Sequence, residues 1–347
     1  MYVEETCLLL GHSIKDNKNI YLSPMAKKKH LALYGEPLRG REDVLINLAK
    51  KEALRSENGA TFIVTSSFLA GAIYNILKSN TVGKREIVWL SPSLHLGVKN
   101  QLMWMDEYEE EALNKYVIDY TKMLKKGSFV IIDLNPLFYL ERSYKAQSIL
   151  MKHLRNSLVR LSPSEHKEHA IYVEDAKTCV DDLIFFIEHG QRYNCGVVYC
   201  MESPKLWGRH FAVVDAMVHN VVLFNRFHLE DSDYFLKLFL ISDAKSLFHR
   251  KPQDALYSLI GDDYCKYQGL VRFLSLSEYE LNKIIVNGKR SKTGHIREFV
   301  VEDAKNNDRL NGENSYINDG QDWVQTLLKL TKDSEGVVPL HQNYNEY

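Results

Sequence analysis

Leu31-Ala32-Leu33-Tyr34 is an unbroken apolar run that enters a glycine-bounded stretch, Gly35-Glu36-Pro37-Leu38-Arg39-Gly40-Arg41-Glu42. A helical stripe of Val44, Leu45, Leu48, Ala49 and Leu54 follows at once. Buried strand, tight loop and helix in that order constrain the fold more than any other feature of the chain. The spacing is the frame G-x-x-x-x-G-K-[ST] of a phosphate-binding loop, in which amides at the helix start cradle phosphate oxygens, the Lys reaches the β- and γ-phosphates and the hydroxyl holds Mg2+. Here Arg41 stands at the lysine place and Glu42 at the hydroxyl place. The chain has 18 glycines, and about one pair at this spacing arises by chance in such a sequence. The weight of the motif therefore rests on the strand before it and the helix after it.

Apolar or β-branched runs recur at residues 60–64, 86–90, 129–132, 170–173, 196–200, 218–224 and 269–274, with helical periodicity at 43–54, 68–77, 143–161, 180–189 and 231–239 between them. Strands separated by helices need crossovers, so the expected fold class is α/β with a mostly parallel central sheet flanked by helices. A charged, periodic stretch at about 104–126 reads as a helical insertion. The expected organisation is an N-terminal lead-in at 1–17, one domain at 18–275 and a C-terminal extension at 276–347. From residue 302 onward there are nine acidic residues against four basic ones. Such a stretch is expected to be partly disordered, with an interaction tail as the functional alternative.

The 347 residues, 45% of them hydrophobic, suffice for a sizeable core. A net charge of −1 gives no global attraction to a nucleic-acid polyelectrolyte, so any DNA contact would come from local patches such as Lys27-Lys28-Lys29 or Lys125-Lys126. The five cysteines form no C-x-x-C pair, which argues for a reducing cytoplasm rather than a disulfide framework or zinc ribbon. No apolar run approaches the roughly 20 residues that span a bilayer, and Glu4 and Glu5 lie where a signal peptide would be basic. The expectation is a cytoplasmic chain without direct membrane insertion, attached to a membrane only through partners. The histidines lack ligand spacing, so no metal site is expected from them, and neither a Ser-His-Asp set nor G-x-S-x-G is visible.

Further segments fall into a known order. Asn19-Ile20-Tyr21-Leu22-Ser23 and Lys29-His30 precede the loop, and Val88 to Pro92 is followed by Asn100-Gln101-Leu102. Ile171-Tyr172-Val173-Glu174-Asp175 leads through Gly190-Gln191-Arg192-Tyr193 to Cys200-Met201-Glu202-Ser203-Pro204. Together these resemble the HerA/FtsK superfamily of hexameric DNA-translocating ATPases, and within it the coupling-protein ATPases of conjugation and type IV secretion, over roughly residues 18–274. The family pattern is an apolar strand ending in Asp-Glu, a helix ending near G-R-K-Y-G and a strand ending in T-Q-S-P. The resemblance implies a RecA-like P-loop fold, protein partners in a multi-subunit assembly or a homo-oligomer, DNA as a substrate, and ATP with Mg2+ if the pocket is functional. It places residues 35–42 around the nucleotide and Glu174, Asp175 and Glu202 at the catalytic positions. Arg192, or Arg209, is then the candidate for an arginine acting across a subunit boundary.

The chemistry departs from that pattern at several positions. Glu174 and Asp175 stand in reversed order, and because strand side chains alternate, each carboxylate moves to the other face. Arg41 is wider and planar where the compact lysine ammonium is required. Glu42 puts a carboxylate where metal and triphosphate meet, and at about 4 Å and an effective dielectric near 20 its repulsion of one phosphate charge is about 4 kcal/mol. That corresponds to about a thousandfold in affinity. Glu202 replaces a Gln, and Thr65 an Asp. Two readings follow: a degenerate P-loop subunit or adaptor in a DNA-transfer or secretion machine of a mobile element, or an active NTP-driven motor with an unusual loop. The first predicts Arg41 paired to a carboxylate inside the loop. A plainer alternative makes Arg41 an ordinary salt bridge to Glu42 or Glu202, and Glu174 and Asp175 caps of the helix that follows them.

Overall fold

Strands covered on both faces by helices read as continuous apolar runs, because neither face is left to water. In the computed structural model these runs form the parallel part of an eleven-stranded sheet. In chain order the elements are β1 (Leu8–Ser13), β2 (Asn19–Leu22), β3 (Leu31–Tyr34), α1 (Arg41–Leu54), β4 (Asn58–Val64), α2 (Ser67–Asn80), β5 (Ile87–Leu90), α3 (Tyr120–Lys126), β6 (Phe129–Asp133), α4 (Pro136–Arg160), β7 (Glu168–Val173), α5 (Val180–His189), β8 (Cys195–Met201), α6 (Phe211–Met217), β9 (Asn220–Leu223), α7 (Ser232–Phe239), α8 (Lys245–Phe248), β10 (Asp254–Ile260) and β11 (Lys266–Phe273). The structure describes residues 7–273, except 24–27, 38–39, 56–57, 82–84, 91–118, 135, 243–244, 249, 252–253 and 262. Most of the expected insertion, the Asn100-Gln101-Leu102 element and the C-terminal extension from 276 lie outside the described residues.

The strand order is β2-β1-β11-β10-β9-β3-β8-β7-β4-β6-β5. From β9 to β5 every pairing is parallel, whereas β10, β11, β1 and β2 add an antiparallel flank. The fold is thus α/β with a large, mostly parallel sheet between helical layers, as the sequence led one to expect. Alternation within β3 shows how the layers are fed. Leu31 and Leu33 pack with Val44, Leu48 and Ile73 of α1 and α2. Ala32 and Tyr34 join Leu154, Leu183 and Phe235 of α4, α5 and α7 on the other face.

The structure corrects several boundaries. β1 lies in the expected lead-in, yet it pairs with β11 and β2 in the sheet. β10 was not foreseen as a strand, and β9 starts at Asn220 rather than at residue 218. α4 begins at Pro136, seven residues before the periodicity becomes legible, since proline is well tolerated in a helix's first turn.

His30 fixes β3 between its neighbours. Its Nδ1 accepts the Val197 amide at 3.1 Å and its carbonyl accepts from the Asn220 side chain at 2.9 Å. Burial pushes its pKa down from 6.5 to about 4, partly opposed by the Ile187 carbonyl and reinforced by His219. The unfolded chain therefore binds this proton below pH 6.5 while the folded chain resists it until about 4. Stability is expected to fall as pH drops through that window, by up to about 3 kcal/mol. Urea midpoints of wild type and His30→Gln followed from pH 7 to 4 test this: the wild-type curve should drop more steeply, and parallel curves would show that another group titrates.

Candidate functional site

The β3–α1 loop emerges at the carboxyl edge of the parallel strands, where ligand crevices of open α/β sheets lie. Gly35 and Gly40 have φ of 137° and 104°, a region that side chains make costly. Phe224 packs beneath both, and a Cβ on either glycine would come within 3.0 Å of its ring or Cβ. The Gly35 amide donates to the Met201 carbonyl at 3.1 Å and the Glu36 amide to the Arg226 carbonyl at 3.0 Å, so the loop entrance is tied to the strands on either side. Pro37 is exposed, and Leu38 and Arg39 lie outside the described residues.

Arg41 does not reach outward. It is 3% exposed, and its Nη1 donates to the Gly35 carbonyl at 2.8 Å, so the side chain folds back onto the first residue of its own loop. Its Nη2 lies 3.8 Å from the Glu42 carboxylate, while Nε is buried without a partner. Glu42 and Asp43 occupy the first turn of α1, where carboxylates complement the positive end of the helix that a phosphate would otherwise use.

The reversed carboxylates separate as strand alternation requires. The Glu174 amide extends the ladder of β7 to the Ile63 carbonyl at 3.0 Å. Its Oε2 accepts from the Thr65 amide at 2.6 Å, the Ser66 amide at 3.0 Å and the Thr65 hydroxyl at 3.1 Å. Glu174 thus holds the entrance to α2, not the helix that follows it. Burial raises its pKa above the ordinary carboxyl range against the pull of these donors, and Glu42 adds to the rise. Asp175 turns to Lys177, whose Nζ lies 3.3 Å from Asp175 Oδ2 and 3.3 Å from Glu202 Oε1. Burial raises the Asp175 pKa and Lys177 opposes that rise. Burial also works against the Lys177 charge, but Asp175 and Glu202 outweigh it and hold the lysine pKa above its usual value. Burial pushes up the pKa of the Cys200 thiol on β8; Arg41 opposes the rise and Glu42, Glu174 and Asp175 add to it. At the end of β6, Asp133 accepts from the Ser67 hydroxyl at 3.1 Å.

Arg192 does not join this set. It sits in the turn Gly190–Tyr193 that leads into β8, at the amino edge of the parallel strands, opposite the loop. Arg209 lies past the end of β8 and donates to Asp181 at 2.8 Å. Lys177 was missed by sequence reasoning: it follows the carboxylate pair by two residues in a short turn and belongs to no spaced motif.

In this structure the groups that would meet a Mg-nucleotide are engaged within the protein. The hydroxyl that would bind the metal is a carboxylate at Glu42, Glu174 is held by Thr65 and Ser66, and Asp175 and Glu202 share a lysine. Among the described residues no three His, Cys, Asp or Glu are grouped so as to hold a metal ion, and no helix is long and apolar enough to cross a membrane.

Sheet order, glycine-bounded loop and flanking layers define a RecA-like P-loop ATPase fold. Among solved structures the chain is similar to the plasmid coupling protein TrwB in complex with ADP and Mg2+, with a TM-score of 0.53 at 11% identity over 74% of this chain and 88% of that one. It is likewise similar to VirB4 of Thermoanaerobacter pseudethanolicus, with a TM-score of 0.52 at 11% identity over 79% of this chain and 98% of that one. The expected likeness to conjugation and secretion ATPases therefore holds at the level of the fold. No protein-family model and no curated protein sequence matches the chain.

Proposed function

We propose that this chain is a non-hydrolysing P-loop subunit or adaptor in a DNA-transfer or secretion machine of a mobile element. The carrying observation is that the charged groups of the would-be ATP site are engaged within the protein. Arg41 is bound to the Gly35 carbonyl, and Lys177 bridges Asp175 and Glu202. Phosphoryl transfer needs these groups turned toward metal, phosphates and water. The coupling-protein fold supports an assembly role, with protein partners or further copies of the chain and DNA as the transported substrate.

Steady-state phosphate release and equilibrium ATP binding on the purified chain test the reading. Hydrolysis is expected at background rate with or without Mg2+, and Arg41→Ala is expected to leave that rate unchanged. Robust Mg-dependent turnover that Arg41→Ala abolishes would establish the active-motor alternative instead.

A further inference from the structure

Four carboxylates, those of Glu42, Glu174, Asp175 and Glu202, gather at the ends of β7 and β8 and the start of α1. Glu174 has backbone donors and Glu42 faces Arg41. Asp175 and Glu202 remain, from different strand ends, and Lys177 stands between them at 3.3 Å from each. The turn that carries it is clamped. Thr178 donates to Gln147 at 2.9 Å or to the Asp175 carbonyl at 2.8 Å, and the Cys179 amide donates to the Ala176 carbonyl at 3.1 Å. An isolated surface ion pair contributes little. This ammonium differs in being the shared partner of two carboxylates that would otherwise repel each other.

We infer that Lys177 is the resident cation of this site, an ammonium standing between Asp175 and Glu202 in place of a divalent ion and closing the cluster to Mg2+. The inference rests on the reading of a P-loop site without turnover and deepens it. Two carboxylates plus substrate phosphates are a usual Mg2+ set, and a tethered amine with three donors satisfies the same two carboxylates with no metal. His228 Nε2 lies 3.7 Å from the other oxygen of Glu202.

The test uses the full chain and Mn2+ as the probe, with binding read by electron paramagnetic resonance and melting temperature read in EDTA and in millimolar MgCl2. Wild type is expected to bind Mn2+ weakly and to melt at the same temperature in both buffers. Lys177→Met keeps the length of the stem without its charge. It is expected to melt lower in EDTA, to recover with MgCl2, and to bind Mn2+ about tenfold more tightly, a modest gain because the groups are partly exposed. Lys177→Gln serves if the Met variant does not fold, and Lys177→Met with Glu202→Gln should lose the Mn2+ gain. Equal Mn2+ affinity in wild type and Lys177→Met, or a melting temperature of the variant indifferent to MgCl2, would overturn the inference. Wild-type ATP turnover measured alongside separates the two ideas. An inert wild type with an unresponsive variant removes only the resident cation, whereas an active wild type removes the functional reading itself.

Discussion

Calorimetric titration of the Arg41→Lys, Glu42→Thr chain with Mg-ATP is expected to show affinity about a thousandfold above wild type, the equivalent of the about 4 kcal/mol repulsion that one carboxylate exerts on one phosphate charge. The geometry says why both changes are needed. Glu42 sits in the first turn of α1 beside Arg41, so removing its charge alone leaves the guanidinium folded onto the Gly35 carbonyl. A lysine is slimmer and can extend past the loop toward phosphate. Hydrolysis is a higher bar, since it also needs a positioned water and a cation at the transferred phosphate. A folded double variant that gains no affinity would mean that residues 35–40 no longer cradle phosphate and that the glycine pair is a coincidence of spacing.

The parallel half of the sheet was legible because burial on both faces leaves strands such as Ile171-Tyr172-Val173 without a polar position. The antiparallel flank was legible only in part. The run at 269–274 marks the second half of β11, whereas its first residues, Lys266 and Tyr267, are exposed, and β1 is interrupted by Gly11, where a Cβ would lie 2.1 Å from the Arg272 carbonyl oxygen. In β10, Asp254 and Ser258 are buried among apolar neighbours, so the run looks polar although it lies within the sheet. At the site, sequence spacing named Glu42, Glu174, Asp175 and Glu202 but not how they turn, and it grouped with them Arg192, which sits in the turn before β8. Strand alternation separated Glu174 from Asp175 as expected. That Glu174 would hold the preceding loop depends on β4 lying beside β7, a long-range pairing that no local pattern encodes. Lys177 was illegible for the same reason, since its second partner, Glu202, is supplied by the neighbouring strand end.

Glu174→Ala is expected to destabilise the chain by about 4 kcal/mol, because it removes a charged acceptor from two backbone amides and a hydroxyl at the entrance to α2. Water reaches Thr65 and Ser66 in part, which keeps the cost below the sum of three buried losses. Glu174→Gln retains one acceptor oxygen in the same place and should cost less than half as much. The pH dependence separates charge from shape. The folded-state pKa of Glu174 lies above the ordinary 4.5, so between that value and the raised one the folded chain binds the proton more tightly than the unfolded chain. Stability from this group therefore rises as pH falls through the window and is lost as the carboxylate ionises above it. Wild type should gain stability relative to Glu174→Gln as the solution is acidified toward pH 4.5, measured as the difference in urea midpoints. A difference that stays constant, or that moves in favour of the glutamine variant, would mean that the carboxylate is ionised at no cost. Its place at the strand end would then be better explained by a partner that stabilises the charge.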